Sequence, residues 1–283
     1  MNHFELPLVL FTIMAQWAVG IALILVIADL FLVKYSPDGH QGLRIGGMLV
    51  LPLCALAVIF SIFHLGQPFF AYKALGNLET SWLSREILAT IFLGVSALAY
   101  SYVWWRNPQN ESARKGLGVL TVIIGLVTII VSAKVYTLPA HETWNNWQTA
   151  ASFLLSAVFL GSLTILTLLS AYSTKVEPTA KRTLAAITII SLIGLLITLA
   201  AFTAGYGVSP EQTTAVGLVV SSSLFWFRIL CGLVIPGALA FSFLGEIKLS
   251  KGILVTGLLV AVLGELSGRA LFYYSVMGQQ PWF

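Results

Sequence analysis

The amino-acid sequence predicts an all-α integral membrane protein, a bundle of eight transmembrane helices with both termini on the periplasmic side. Three observations carry this. The chain of 283 residues is 58% hydrophobic and only 9% charged, against about 25% charged in a typical soluble domain. Its apolar residues fall in continuous runs, not in the alternating pattern of a porin-type strand, so helices are the expected spanning element. Lys and Arg crowd into alternate connections between the runs.

A bilayer core about 30 Å thick needs about 20 helical residues. Eight runs satisfy this in order: Leu6–Val33, Arg44–His64, Ser84–Trp105, Gly116–Leu138, Trp147–Tyr172, Thr183–Ala204, Ser221–Leu244 and Gly252–Ser275. The first is too long for a signal-peptide core and lacks a basic leader, so it is expected to stay as a helix. Breakers punctuate the connections: Ser36-Pro37-Asp38-Gly39, Asn107-Pro108, Glu177-Pro178 and Ser209-Pro210. No low-complexity tract or soluble domain is expected, so residues 1–283 read as a single polytopic membrane domain that ends at the membrane on both sides. Cys54 and Cys231 both lie inside apolar runs with no C-x-x-C pair, which points to packing and away from zinc or iron–sulfur ligation. The net charge of +4 has no basic stripe or aromatic platform with it, which excludes a nucleic-acid partner.

Orientation follows from the Lys and Arg count. The connections after helices 1, 3, 5 and 7 hold Lys34, Arg44, Arg106, Arg114, Lys115, Lys175, Lys181, Arg182, Lys248 and Lys251; the other set holds Lys73 and Arg85. That bias turns the first set into the cytoplasm and places both termini outside, in the periplasm of a bacterial inner membrane.

With helix directions assigned, the depth of each ionisable group can be read, and such groups are costly inside a bilayer. His64 ends helix 2 at the outer face, and Arg85 and Glu86 open helix 3 at that level. Lys134, Arg228, Glu265 and Arg269 fall in the outer part of helices 4, 7 and 8. Asp29 alone lies toward the cytoplasmic end, near Lys34, where an interfacial capping role is expected. Structural readings stand beside these: Arg85 and Lys134 have stems long enough to snorkel, and Glu265 and Arg269 have the i,i+4 spacing of a self-neutralising pair. The bias of seven groups toward one leaflet is the stronger signal. It fits a site for an amphipathic molecule arriving through lipid, and a quinol has the required form. Its oxidation releases two protons, for which an imidazole and a carboxylate, His64 and Glu86, are fitting acceptors. Only His64 among the four histidines sits in a span, so a bis-histidine haem has no second ligand; neither haem nor metal is expected in the chain.

Several segments resemble the membrane anchor subunits of dimethyl sulfoxide reductase, the DmsC family. Pro7 to Trp17 (PLVLFTIMAQW) is similar to that family's first helix. His64-Leu65-Gly66-Gln67-Pro68, followed by Ser84-Arg85-Glu86-Ile87, resembles its helix 2–3 region, and Trp144 and Trp147 resemble its aromatic pair before helix 5. Trp226-Phe227-Arg228 resembles its W-R with one phenylalanine interposed, and Gly264 to Arg269 with Phe272-Tyr273 is similar to its last helix. The resemblance spans the whole chain. It implies eight helices, periplasmic termini, no haem, and oxidation of menaquinol near the periplasmic face, with His64 and Glu86 at the positions of the family's quinol-site histidine and glutamate. It further implies two partners on that face, a four-cluster iron–sulfur subunit and a molybdenum-cofactor catalytic subunit.

The expected function is therefore that of a membrane anchor subunit in anaerobic respiration, which takes electrons from menaquinol to the iron–sulfur subunit. The quinol site is expected to draw on His64, Arg85, Glu86, Lys134, Arg228, Glu265 and Arg269, with Trp144, Trp147 and the short outer loops as the docking surface. A small-molecule transporter is the alternative from another class, since Pro52 and Pro236 interrupt helices 2 and 7; a purely structural anchor is a third. The terminal acceptor belongs to the catalytic subunit and is not encoded in this chain.

Overall fold

Lipid cannot hydrogen-bond a bare backbone, so each apolar run is driven into helix. The computed structural model describes residues 5–64, 68–174, 176–245, 247 and 249–279, and of residues 64, 68–71, 74 and 277 the backbone alone. No strand occurs among the described residues. Among the described residues, eight helices are long and apolar enough to cross a membrane. They are α1 (Leu6–Leu32, whose last turn, Ala28–Leu32, is π-helical), α2 (Gln41–His64), α3 (Trp82–Arg106), α4 (Glu111–Tyr136), α5 (Trp147–Tyr172), α6 (Pro178–Thr203), α8 (Ser223–Leu244) and α9 (Lys251–Met277). A ninth, short helix, α7 (Pro210–Ser221), precedes α8, and a 3-10 segment, Pro68–Asn77, precedes α3.

The starts of these helices are written in the sequence. The side chains of Ser81, Asn110, Asn146, Ser209 and Ser250 each accept a backbone N–H from the first turn of α3, α4, α5, α7 and α9, which satisfies donors the helix itself leaves bare. Ser209-Pro210, expected as a plain connection, is a cap followed by proline at the first helical position, so this connection folds into α7.

Helices α1 and α5 form the inside of the bundle. Gly20 and Gly161 let them touch backbone to backbone: a Cβ on Gly20 would lie 1.8 Å from the Ala157 carbonyl oxygen, and one on Gly161 would lie 2.2 Å from Gly20. Small residues at a helix crossing are the usual route to tight packing where lipid removes most of the hydrophobic driving force. Trp17 donates to Thr164 at 2.8 Å across the same interface. Cys54 and Cys231 are free and buried, as packing residues.

Both internal prolines are accommodated locally. Proline removes one N–H from the helix and crowds the turn before it. In α2, just ahead of Pro52, the Ser101 hydroxyl of α3 inserts, accepting from Leu51 N–H at 3.1 Å and donating to the Gly47 carbonyl at 2.8 Å. In α8, residues Arg228–Val234 ahead of Pro236 widen into a π-helical turn, a common response to a break in the ladder.

At the Lys- and Arg-rich end, Asp29 does not cap its neighbours, as expected of it. It forms a buried two-pronged ion pair with Arg114 of α4, at 2.8 and 3.0 Å. The Arg114 guanidinium lies 4.6 Å from the Tyr35 ring centre and 5.1 Å from that of Trp104. The π-helical turn at the end of α1 holds Asp29 inside, and a residue counted as a loop cation neutralises it.

Candidate functional site

The end of the bundle that carries residues 6 and 277 holds the remaining buried charges, in two groups. The first contains Glu86. It lies one turn into α3, 4% exposed, with Ser132 of α4 beside its carboxyl group. Thr128 and Thr121 stitch the two helices through the Ala89 and Ser96 carbonyls, which aligns Glu86 with Ser132. The Glu86 Oε1 atom is buried without a hydrogen-bond partner among the described residues. His64 closes α2 at the same end; its side chain lies outside the described residues.

The second group joins α1, α5, α8 and α9. Arg228 Nη1 and Glu265 Oε1 are 3.1 Å apart, and Ser156 of α5 donates to the other carboxylate oxygen. Glu265 thus meets Arg228 of the neighbouring helix, in contrast to the self-contained i,i+4 pairing with Arg269 that the spacing allowed. Arg269 instead donates to Gln16 of α1 at 2.7 Å and lies 3.7 Å over the Phe153 ring. Its Nε has no hydrogen-bond partner among the described residues. Two glycines make this geometry possible. A Cβ on Gly268 would sit 1.5 Å from the Arg228 guanidinium, and one on Gly264 2.3 Å from Gly232 backbone.

A tyrosine pair stands between the groups: the Tyr136 and Tyr273 hydroxyls are 2.7 Å apart and buried, and Tyr136 is within electrostatic range of both Glu86 and Arg269. Around it, Trp144 stacks on Phe272 at 5.1 Å and 16° and donates to the Phe272 carbonyl at 2.9 Å. Trp144 is buried and so is withdrawn from the docking surface expected for it. Trp147 is 59% exposed and remains available.

Arg85 and Lys134 join neither group. Arg85 turns back to the preceding segment, donating to the Leu78 and Glu79 carbonyls at 2.9 and 2.6 Å with its guanidinium 4.4 Å over Trp82. Lys134 is exposed on α4, beside Ile130 and Trp147. Both lie away from the two buried groups. Gln16, Ser156, Tyr136 and Tyr273 were not among the site residues expected from the sequence. Being neutral polar residues in apolar runs, they differ in nothing from helix-packing residues until their partners are known.

A pocket of about 120 Å³ opens beside the second group, between α5, α6, α8 and α9. Arg228, Glu265 and Arg269 form its deep wall, Thr149, Ser152 and Thr198 part of its sides.

An eight-span helical bundle with carboxylate and guanidinium groups buried at both of its ends defines a class: polytopic membrane proteins with charged side chains held among their spans. Within that class, the protein belongs to the DMSO reductase anchor subunit (DmsC) family, whose model matches residues 1–274. It is 28% identical over 276 residues to YnfH, a chain of an anaerobic dimethyl sulfoxide reductase of Escherichia coli, covering 95% of this sequence and 94% of that protein. It is 29% identical to a chain of the anaerobic dimethyl sulfoxide reductase of Haemophilus influenzae, over the same shares of both proteins. A subunit of the sulfite dehydrogenase of Allochromatium vinosum is 29% identical over 167 residues, 54% of this sequence and 50% of that one.

Proposed function

We propose that this protein is the membrane anchor of a DMSO-reductase-type molybdo-oxidoreductase and oxidises menaquinol at the end of the bundle that carries residues 6 and 277, which we assign to the periplasmic face of the inner membrane. The observation that carries the reading is Glu86, a carboxyl group buried in a membrane span with one oxygen free of partners among the described residues. An ionisable group held so at a cost is a functional candidate. His64 ends the preceding span at the same level. Quinol yields a quinone, two protons and two electrons; Glu86 and His64 take the protons to the outer face, and the electrons leave to an iron–sulfur subunit docked there. That partner passes them to a molybdenum-cofactor subunit. Family membership supports both partners, and the relatives named for dimethyl sulfoxide reductase and sulfite dehydrogenase support electron exchange with another subunit.

The test uses the assembled complex. Glu86→Gln, which keeps shape and removes the proton acceptor, is expected to abolish quinol-dependent reduction of the terminal acceptor while reduction driven by an artificial dye persists. His64→Arg is expected to do the same. Equal loss of both activities assigns these residues to assembly and overturns the reading.

A further inference from the structure

The pocket between α5, α6, α8 and α9 is separated from Glu86 by the Tyr136–Tyr273 pair and has a different chemistry. Its deep wall carries two guanidinium groups and one carboxylate, so the buried cluster has one positive charge more than it neutralises. Arg228 is committed to Glu265. Arg269, 4% exposed, has Gln16 and an aromatic face as partners and an Nε–H with no acceptor among the described residues. A buried cation with an unused donor, bordering an open space, calls for an oxygen acceptor.

The other walls narrow the ligand. Leu195, Leu199, Phe202, Leu271 and Phe272 line it with apolar groups, and the hydroxyls of Thr149, Ser152 and Thr198 there already donate to backbone carbonyls, while Asn146 and Gln148 add amides. A phosphate head group would bring its negative charge against the Glu265 carboxylate, whose Oε1 has no hydrogen-bond partner among the described residues, and would lie against leucine and phenylalanine. A planar ring with a carbonyl oxygen matches the apolar lining and the buried cation together. The volume of about 120 Å³ is near the roughly 150 Å³ cavity known to hold a benzene ring.

We infer that this pocket is a second membrane-ligand site, distinct from Glu86, which holds the ring of a quinone-class molecule among the apolar groups of its lining with one carbonyl oxygen against Arg269. The assignment goes beyond quinol oxidation at Glu86 and does not depend on it, because every group it uses lies on other helices.

The experiment is photolabelling of membranes that hold the assembled complex, with an azido-naphthoquinone as probe and the labelled peptides mapped by mass spectrometry. Label is expected on α5 near Thr149 to Ser156 or on α6 near Leu195 to Phe202, and is expected to survive Glu86→Gln. Arg269→Gln should weaken the concentration dependence of that label about tenfold or more, the scale of one charge-assisted hydrogen bond. Ser152→Phe, which fills the pocket from a half-buried position, should abolish the label in a complex that still assembles and reduces its acceptor with dye. Label confined to the Glu86 region, or pocket label indifferent to Ser152→Phe, overturns the inference. So does a phospholipid that is retained by the wild-type complex in native mass spectrometry, lost from Ser152→Phe, and unaccompanied by pocket labelling.

Discussion

Arg228 and Glu265 show what a single residue costs inside a bilayer. Each would be prohibitive alone, and their ion pair is tolerated because Gly268 leaves room for the guanidinium and Ser156 satisfies the second carboxylate oxygen. Removing one partner of a buried pair leaves the other charge uncompensated, which costs on the order of 3–5 kcal/mol, whereas replacing both by apolar groups of similar size is often neutral. Glu265→Gln is therefore expected to lower the thermal stability of the detergent-solubilised protein strongly, since it leaves two arginines with no buried anion beside them. The double variant Arg228→Met with Glu265→Leu is expected to recover most of that loss. A double variant no better than the sum of its parts rules out direct coupling. The carboxylate spacing in α9 made a local pair with Arg269 equally reasonable in the sequence; only the neighbouring helix decides which arginine reaches Glu265.

At the scale of elements, the two interrupted helices matter most. Pro52 and Pro236 kept a transporter open in the sequence as an alternative reading. In the fold each break is accommodated beside the proline: Ser101 bridges Gly47 and Leu51 just ahead of Pro52 in α2, and a π-helical turn precedes Pro236 in α8. That turn begins at Arg228, so the proline that interrupts α8 and the residue that points into the bundle belong to one local device. Ser101→Ala is expected to cost about 1–3 kcal/mol, because it strands a backbone N–H and a carbonyl that the hydroxyl satisfies at once. Ser101→Thr, which keeps the hydroxyl, should retain more of the stability. A loss of less than a few tenths of a kcal/mol for Ser101→Ala would show that the helix closes its own ladder there. The short helix α7 was missed in the sequence because its cap and its proline also mark turns, and Ala215 to Val219 merge into the next apolar run.

For the whole molecule, the asymmetry of its charges has two parts with different fates. The connections rich in Lys and Arg are expected in the cytoplasm. Single cysteines introduced at Ser112 and Tyr206, both exposed and at opposite ends of the bundle, test this, since the native Cys54 and Cys231 are buried. An impermeant thiol reagent outside the inner membrane is expected to label Tyr206→Cys and spare Ser112→Cys; the reverse pattern inverts the topology and moves the proposed quinol chemistry to the cytoplasmic side. The buried charges do not all follow the loops. Asp29 and Arg114 neutralise each other at one end, and Glu86 and the Arg228–Glu265–Arg269 cluster occupy the other as two separate groups.

Eight spans and the end of the bundle at which Glu86, Arg228, Glu265 and Arg269 lie were legible in the sequence by itself, because they depend on run length, hydropathy and capping, all local properties of the polypeptide; Arg114, read as a loop cation, was not. The sequence also carried the family resemblance, through segments such as that around His64 and Glu86. The direction in which each side chain points around its helix was not legible. In a bundle apolar on every face, lipid and core select the same residues, so hydropathy carries no angular information. Tertiary packing alone sent Lys134 outward, buried Trp144, paired Asp29 with Arg114, and divided one expected site into two.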